Sequence, residues 1–514
     1  MNRRKFLLSS AAIASIGLPL GYVVLRREQA GATPETLTLT YNAEENPDEK
    51  SLLAQIIQAQ LKPDGIAVNL QPLSSAEYND RIGKHEFQAA LTLWYLDYNS
   101  PEGYLTDFYS KAGYRLSGYN NPEYDKTYLS GLFATNAEGA QHGFRDAATI
   151  VDKDVVWLPL YSNNELFLLK PGTEGFRSNA FQYYDYRGVT KPNFRVATDI
   201  EVQTLDPKLT YDLASKHLVT QSYEGLVALD SRNQLVPALA DSWQVSADGQ
   251  ELRFSIRPNV PFHGTLPGNS VRFVTAADVK ASFERTASST SPYAYIFDHV
   301  LGIEEFRSKR AGTVVGLETR GNLDFRIRLS RPVPAMLQWL LAPAASVLPH
   351  DLPDDYDFGK GSKGTGPFVL QEWNGTKAVF KGNGSYWGNL SGTQSLANRS
   401  LTITVIKDPS VQLLAFNRGE LDILNIPLAL YGAILDKSGK LQAQWSNNQL
   451  RVIALGNLKF VAFNLSPKGG GPDKILRERI GAAINRNEMV DRLFRGQARV
   501  ATSVLPSDVF TKVL

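Results

Sequence analysis

The sequence predicts an α/β fold of more than one domain, and three features carry that expectation. A strand, a helix and a second strand follow one another between residues 37 and 70. A long amphipathic helical pattern returns at 474–494, and 514 residues are too many for a single ordinary core. Leu37, Leu39 and Tyr41 alternate with polar residues, as a half-buried strand does. From Lys50 to Leu61, Leu53, Ile56, Ile57 and Leu61 share one helical face. Pro63 and Gly65 end that helix, and Ile66, Val68 and Leu70 alternate again. Such a βαβ unit implies a locally parallel sheet.

Ala89 to Tyr95 reads as a third strand, ending at Asp97-Tyr98-Asn99-Ser100-Pro101. Loops at the ends of such strands are where α/β folds usually hold ligands. Val155 to Tyr161, Glu165 to Leu169 and Phe194 to Thr198 read as further strands. Thr275-Ala276-Ala277-Asp278 has the form of a helix start, with Thr275 as cap and Asp278 three residues later. Lys474 to Phe494 places Ile480, Ile484, Met489, Leu493 and Phe494 on an apolar face, with a possible break near Asn485 and Gly496 as its end. Glycine-rich loops at 359–366 and 468–471 punctuate the second half.

Composition excludes several classes. Hydrophobic residues at 43% and charged residues at 21% fit a soluble globular protein. A net charge of +2 leaves no field for a dedicated nucleic-acid surface. The absence of cysteine removes disulfides, thiolate metal sites and cysteine lipidation. At the start, Asn2-Arg3-Arg4-Lys5 precedes an apolar stretch from Phe6 to Leu25, and Ala30-Gly31-Ala32 offers a cleavage site. Residues 1–32 are therefore expected to be a twin-arginine-type signal peptide that sends the protein to the periplasm. A retained membrane anchor is the alternative, and Gly17, Pro19 and Gly21 weaken it.

Enzyme patterns break where chemistry needs them. His85-Glu86 opens like a zinc-protease motif, but Ala89 stands where the second histidine belongs. Gly359 to Gly366 has Thr365 where a phosphate loop requires lysine, and there is no G-x-S-x-G elbow. The six histidines are scattered, so the expectation is a protein that is not an enzyme and holds no metal or cofactor. On residue type alone Asp97 reads as a turn aspartate. Trp94, Tyr95 and Tyr98 read equally as core or as pocket wall. Arg81, Lys84 and His85 could meet a carboxylate but fit a solvated helix surface better.

A series of short motifs runs through the second half: Leu205-Asp206-Pro207, Tyr223-Glu224-Gly225-Leu226, Pro237 to Trp243, Phe262-His263, and Thr275 to Val279 followed by Ser282-Phe283-Glu284-Arg285. It continues with Gly364-Thr365-Gly366-Pro367-Phe368, Tyr386-Trp387, Asn417 to Asp422 and Phe463-Asn464. In this order they resemble the dipeptide/oligopeptide-binding family (family 5) of ABC-transporter extracellular solute-binding proteins. The first half, with Trp94-Tyr95-Leu96-Asp97-Tyr98-Asn99-Ser100-Pro101, Asn121 to Asp125 and Leu168 to Gly172, resembles the carboxy-terminal part of the same family. The two parts stand in reversed order, as a circular permutation would leave them. Two smaller departures are His263-Gly264-Thr265, where the family usually has an aspartate after the histidine, and the shortened helix expected before the strand at residue 36.

The resemblance implies a two-lobed, class II periplasmic-binding-protein (Venus flytrap) fold with an extra subdomain, circularly permuted. It implies one lobe from 36–161 plus 463–514, a second from 162–237 plus 365–462, and an extra subdomain at 238–364. Peptides would bind between the lobes of a monomer and be delivered to the membrane permease of an ABC importer. The peptide backbone would add as a strand beside Leu93-Trp94-Tyr95 and near Tyr211-Asp212. Asp97 would pair with the α-ammonium, and Tyr95 and Tyr98 would line side-chain pockets. Alternatives are another solute on the same fold (a nickel chelate, haem, a sugar or an opine), an exported hydrolase, or a sensor that does not transport.

Overall fold

The computed structural model describes residues 35–45, 47–96, 100–112, 115–264, 271–288, 291–388 and 395–506. The expected signal peptide at 1–32, Asp97, Tyr98 and the chain end at Leu514 lie outside them. The chain opens with β1 (Glu35–Asn42), a helix over Pro47–Leu61 and β2 (Ile66–Leu73). The two strands run parallel from Glu35 opposite Ile66 to Asn42 opposite Leu73, which is the βαβ unit that the alternation predicts. β3 (Ala89–Tyr95) joins the other side of β1, also parallel, and pairs with it only as far as Leu91.

β4 covers Trp157–Leu169 as one strand of 13 residues, where the residue pattern suggests two. At about 3.3 Å per residue it is roughly 40 Å long, enough to serve two sheets. β5 (Asn193–Thr198) begins the second of these. A hairpin of β6 (Val227–Leu229) and β7 (Leu235–Pro237) then leads out to a separate antiparallel sheet. That sheet holds β8 (Ala240–Val245), β9 (Glu251–Ile256), β10 (Leu317–Arg320) and β11 (Asp324–Arg328) in the order β10-β11-β9-β8. Phe254, Phe283, Phe297 and Phe325 give it a core of its own. The helix Ala276–Ala287 packs there, opened by the capping box expected from Thr275 and Asp278.

The chain returns through β12 (Phe368–Trp373), β13 (Lys377–Gly382), β14 (Ser400–Val405) and β15 (Ile423–Asn425). β16 (Gln449–Ala454) and β17 (Asn457–Phe463) then run in succession antiparallel to β4. The helices Lys474–Ala483 and Arg486–Phe494 follow, separated by Asn485, whose side chain accepts from the Glu488 amide and caps the second. β18 (Ala498–Val500) closes against Tyr161–Asn163 of β4.

Two lobes follow from the way β4 is shared. Trp157–Tyr161 pairs with β17, which continues to β3, β1 and β2. Further along, Asn164–Leu169 pairs with β16, and Phe167–Leu169 with β15, which leads to β5, β14, β13 and β12. The chain therefore crosses between the lobes along β4 and back along β16–β17. The first lobe draws on both ends of the described chain. Leu37, Leu39, Leu53 and Ile57 pack with Ile480, Met489, Leu493 and Phe494, and Arg479 pairs with Glu35 at the start of β1. The extra sheet reaches across to this lobe, where the Trp339 indole donates to Glu102 Oε2 at 3.3 Å, both residues buried.

Candidate functional site

The two crossing strands meet at a polar run, Ser162-Asn163-Asn164-Glu165, inside an otherwise buried apolar strand. Glu165 is 5% exposed. Its Oε1 accepts from the Tyr184 hydroxyl, from Gln182 Nε2 at 3.1 Å and from Asn425 Nδ2 at 3.0 Å. Burial outweighs these bonds and pushes the carboxyl up to about 7.

Opposite Tyr161, four residues earlier on β4, Lys459 of β17 is fully buried and pairs with Glu49 at 2.9 Å. The Tyr161 hydroxyl also donates to Glu49 at 2.9 Å. Burial alone would raise the Glu49 carboxyl, but the Lys459 charge and these bonds hold it below the usual carboxylate range. Lys50, also buried, pairs with Glu45. Burial lowers the Lys50 ammonium despite that pair.

Tyr95 ends β3 with its side chain half exposed. Its hydroxyl is raised by desolvation first and then by the charges of Glu49, Glu45, Glu165 and Asp199. Those carboxylates come from both lobes.

The strand edge expected at Leu93-Trp94-Tyr95 is half open. On one side Leu93, Trp94 and Tyr95 pair with Lys459, Leu458 and Asn457 of β17. On the other side β1 stops at Leu91, and no described strand pairs with Thr92–Tyr95. Trp94 packs against Trp157 with ring centroids 5.7 Å apart and donates its indole N–H to Gly103 O at 2.9 Å. From the second lobe, Tyr211 is 66% exposed. Asp212 caps the helix Leu213–Ser222 by accepting from the Ser215 amide at 2.8 Å, and its Oδ2 is buried with no hydrogen-bond partner. Asp97 and Tyr98, the next residues but one and two after Tyr95, lie outside the described residues.

Arg81, Lys84 and His85 line a different cavity, of about 810 Å³, with Gln88 at the start of β3. That is the end of β3 opposite Tyr95, roughly 20 Å away along the strand. Arg81 and Lys84 are engaged by Glu77 and Asp80 one helical turn back. Among the described residues no group of three or more His, Asp or Glu side chains is arranged to hold a metal ion.

Glu49, Lys459 and Glu165 were invisible as site residues at the level of motifs. The one signal was the polar run at 162–165, whose first three residues read in sequence as a gap between two strands.

Most of the recurring motifs prove to be structural. The Arg285 guanidinium grips Asp206 through two bonds of 2.7 and 2.6 Å. Glu224 accepts from the Thr365 hydroxyl, the Tyr386 hydroxyl and the Trp387 indole at 2.8, 2.8 and 2.9 Å. Asp422, fully buried, accepts from Lys191 Nζ at 2.6 Å and from the Arg195 amide at 2.9 Å. His263 bridges Ser362 Oγ and Gly366 O at 2.9 Å each, and burial lowers its ring to about 4, so it is a neutral core residue. Residues far apart in sequence are thereby tied pairwise.

Residues 13–115 and 234–512, well over half of the chain, match the family described as bacterial extracellular solute-binding proteins, family 5. The chain belongs to that family. Among curated relatives, protein XP55 of Streptomyces lividans is 28% identical over 313 residues, 60% of this chain and 51% of its own length. The glutathione-binding protein GsiB of Salmonella typhi is 27% identical over 320 residues, 61% of this chain and 56% of its own. The chain thus spans about half the length of the curated relatives it matches. Among solved structures, Haemophilus influenzae OppA in complex with RPPGFSPFR is similar over 48% of this chain and 49% of its own, at 22% identity and a TM-score of 0.42. The Escherichia coli murein tripeptide binding protein MppA is similar over 48% of each chain, at 22% identity and a TM-score of 0.41.

Proposed function

We propose that this family 5 protein is a periplasmic carrier that captures peptides between its lobes and delivers them to the permease of an ABC importer. The observation that carries the reading is the backbone of Thr92–Tyr95, bonded to β17 on one side, open on the other, and ending among carboxylates. An open edge recognises any peptide backbone whatever its side chains, and acid recognises the ammonium that every unblocked peptide carries. The relative named as a glutathione-binding protein supports the same class of ligand.

In this reading Asp97, two residues past Tyr95, takes the α-ammonium. Leu93 and Trp94 supply edge and wall, Tyr95 and Tyr98 line side-chain pockets, and Tyr211 and Asp212 approach from the second lobe. Closure follows the ligand's extra affinity for the closed arrangement. The lobes are divided at 36–161 plus 463–514, 162–237 plus 365–462, and an extra subdomain at 238–364. The chain is a circular permutation of the family order, a reading supported by the joining of both chain ends into one lobe. Export runs by the twin-arginine route.

Titration of the purified protein with a mixture of short peptides tests the reading. A ligand at a hundredfold excess over Kd adds about 2.7 kcal/mol to stability, seen as a rise in Tm. Asp97→Ala should keep the fold and lose that rise. A folded protein that responds to no peptide would refute the function, and full affinity in Asp97→Ala would refute the residue.

A further inference from the structure

Among the described residues, buried side-chain oxygens without a hydrogen-bond partner gather on β4: Ser162 Oγ, Asn163 Oδ1, Asn164 Oδ1 and Glu165 Oε2. An unmet buried acceptor costs roughly 1–3 kcal/mol, so four in succession call for a reason. They lie where the strand passes from one lobe to the other, and the two asparagine oxygens, like Glu165 when ionised, can only accept. Asn163 and Glu165 share one face of the strand and Ser162 and Asn164 the other, and the group that would complete the Asn163–Glu165 pair is rich in N–H donors and positively charged.

Of the protein's own nearby cations, Arg499, opposite Ser162 on β18, donates to Leu455 O at 2.7 Å. Lys459 pairs with Glu49. Lys216 donates to Phe181 O at 2.6 Å and lies 4.4 Å from the centre of the Tyr183 ring. Glu165 itself is held as a recognition group would be. Tyr184, Gln182 and Asn425 all bond the same oxygen and leave the other one free. Gln182 reaches it from a left-handed backbone with φ 58°, a conformation that costs a non-glycine residue roughly 1 kcal/mol. Glu165 lies where β4 passes between the lobes, and Tyr95, half exposed at the end of β3, is within reach of its charge.

We propose that Glu165 is a second recognition carboxylate of the cleft, whose free oxygen, with Asn163 two residues earlier on the same face of β4, receives a side-chain ammonium or guanidinium of the bound solute. The inference rests on the peptide-binding reading and deepens it: the protein selects basic peptides. Asp97 would meet the ammonium common to all peptides, and Glu165 the charge that only some carry. A carboxyl that burial raises to about 7 is partly protonated near neutral pH and gives up its proton when a cation pairs with it, so binding of basic ligands releases protons that a solvated, already ionised acid would not.

Calorimetric titration with Ala-Ala-Ala and its three single-lysine variants, and with the non-peptide cations agmatine and arginine amide, tests the assignment. The wild type should bind at least one lysine tripeptide about tenfold or more tighter than Ala-Ala-Ala. Glu165→Gln should erase that preference while keeping its affinity for Ala-Ala-Ala. Circular dichroism checks the fold, and Glu165→Asp, which keeps the charge but withdraws it by one methylene, replaces the glutamine variant if that one unfolds. Equal affinity for neutral and lysine peptides, or a preference that survives Glu165→Gln, overturns the proposal. If no peptide binds but agmatine or arginine amide does so in a Glu165-dependent way, the assignment of Glu165 stands and the peptide reading falls. If neither peptides nor cations bind, both fall.

Discussion

Replacing Glu165 by glutamine should make the protein more stable in mild alkali and leave it nearly unchanged in mild acid. Glu165 titrates near 7 in the fold because burial disfavours its charge, against an ordinary value of 4.5. The folded value is raised, so the fold binds more protons than the unfolded chain between about pH 4.5 and about pH 7, and stability falls as pH rises through that window. At about 1.36 kcal/mol per unit, the gap amounts to roughly 3 kcal/mol above about pH 7 and under about 1 kcal/mol near pH 5. Glutamine has the same shape, offers its carbonyl to Tyr184, Gln182 and Asn425, and carries no charge to desolvate. Urea unfolding of both proteins near pH 5 and near pH 8 supplies four midpoints. Taking the difference between the proteins at each pH cancels every other titrating group, including Asp107, which burial also raises to about 7. The expected result is a variant more stable by about 2–3 kcal/mol near pH 8 and within about 1 kcal/mol near pH 5. Parallel pH profiles for the two proteins would refute the account of Glu165 as a desolvated carboxylate.

Other outcomes follow from the same contacts. Lys459→Met strips the partner from buried Glu49 and should cost roughly 3–5 kcal/mol, read as a lower urea midpoint. Arg285→Lys keeps the charge facing Asp206 but loses the two-pronged grip, and should lower stability by about 1–2 kcal/mol. Trp339→Phe removes the N–H that ties the extra sheet to Glu102. A bond to a charged group is worth about 1.5 kcal/mol or more, so the ligand-free protein should shift about tenfold toward an open form, with a larger radius of gyration by X-ray scattering. A gene rearranged to begin at residue 192, with residue 514 linked to residue 35, should yield a protein of similar stability, because loop-closure terms change slowly with length. Failure of that protein to fold would remove the support for permutation.

Local pattern carried a great deal of the fold. Alternation at 37–41 and 66–70 marked two parallel strands, Thr275 and Asp278 marked a capped helix, and Asn485 marked the break between two others. These signals are short-range: a period of two or of 3.6, or a side chain bonding an amide three residues on. The same logic misread β4 as two strands, because Ser162-Asn163-Asn164 looks like a loop when only neighbours in sequence are considered.

By itself, then, the sequence determined the family, the α/β class and the individual elements, because each rests on residues close together in the chain or on motifs recognisable one at a time. What it could not convey is why those motifs occur together. Asp206 with Arg285, Glu224 with Thr365 and Trp387, and Asp422 with Lys191 are partners only in space. Only the tertiary structure decided that one strand serves both lobes and that its polar run is buried at their junction. It also decided that Lys459, some four hundred residues after Glu49 in the chain, is the charge that pairs with that buried carboxylate. The physical reason is that desolvation and charge pairing depend on which atoms a fold brings within a few ångströms, and no spacing along the chain encodes that distance.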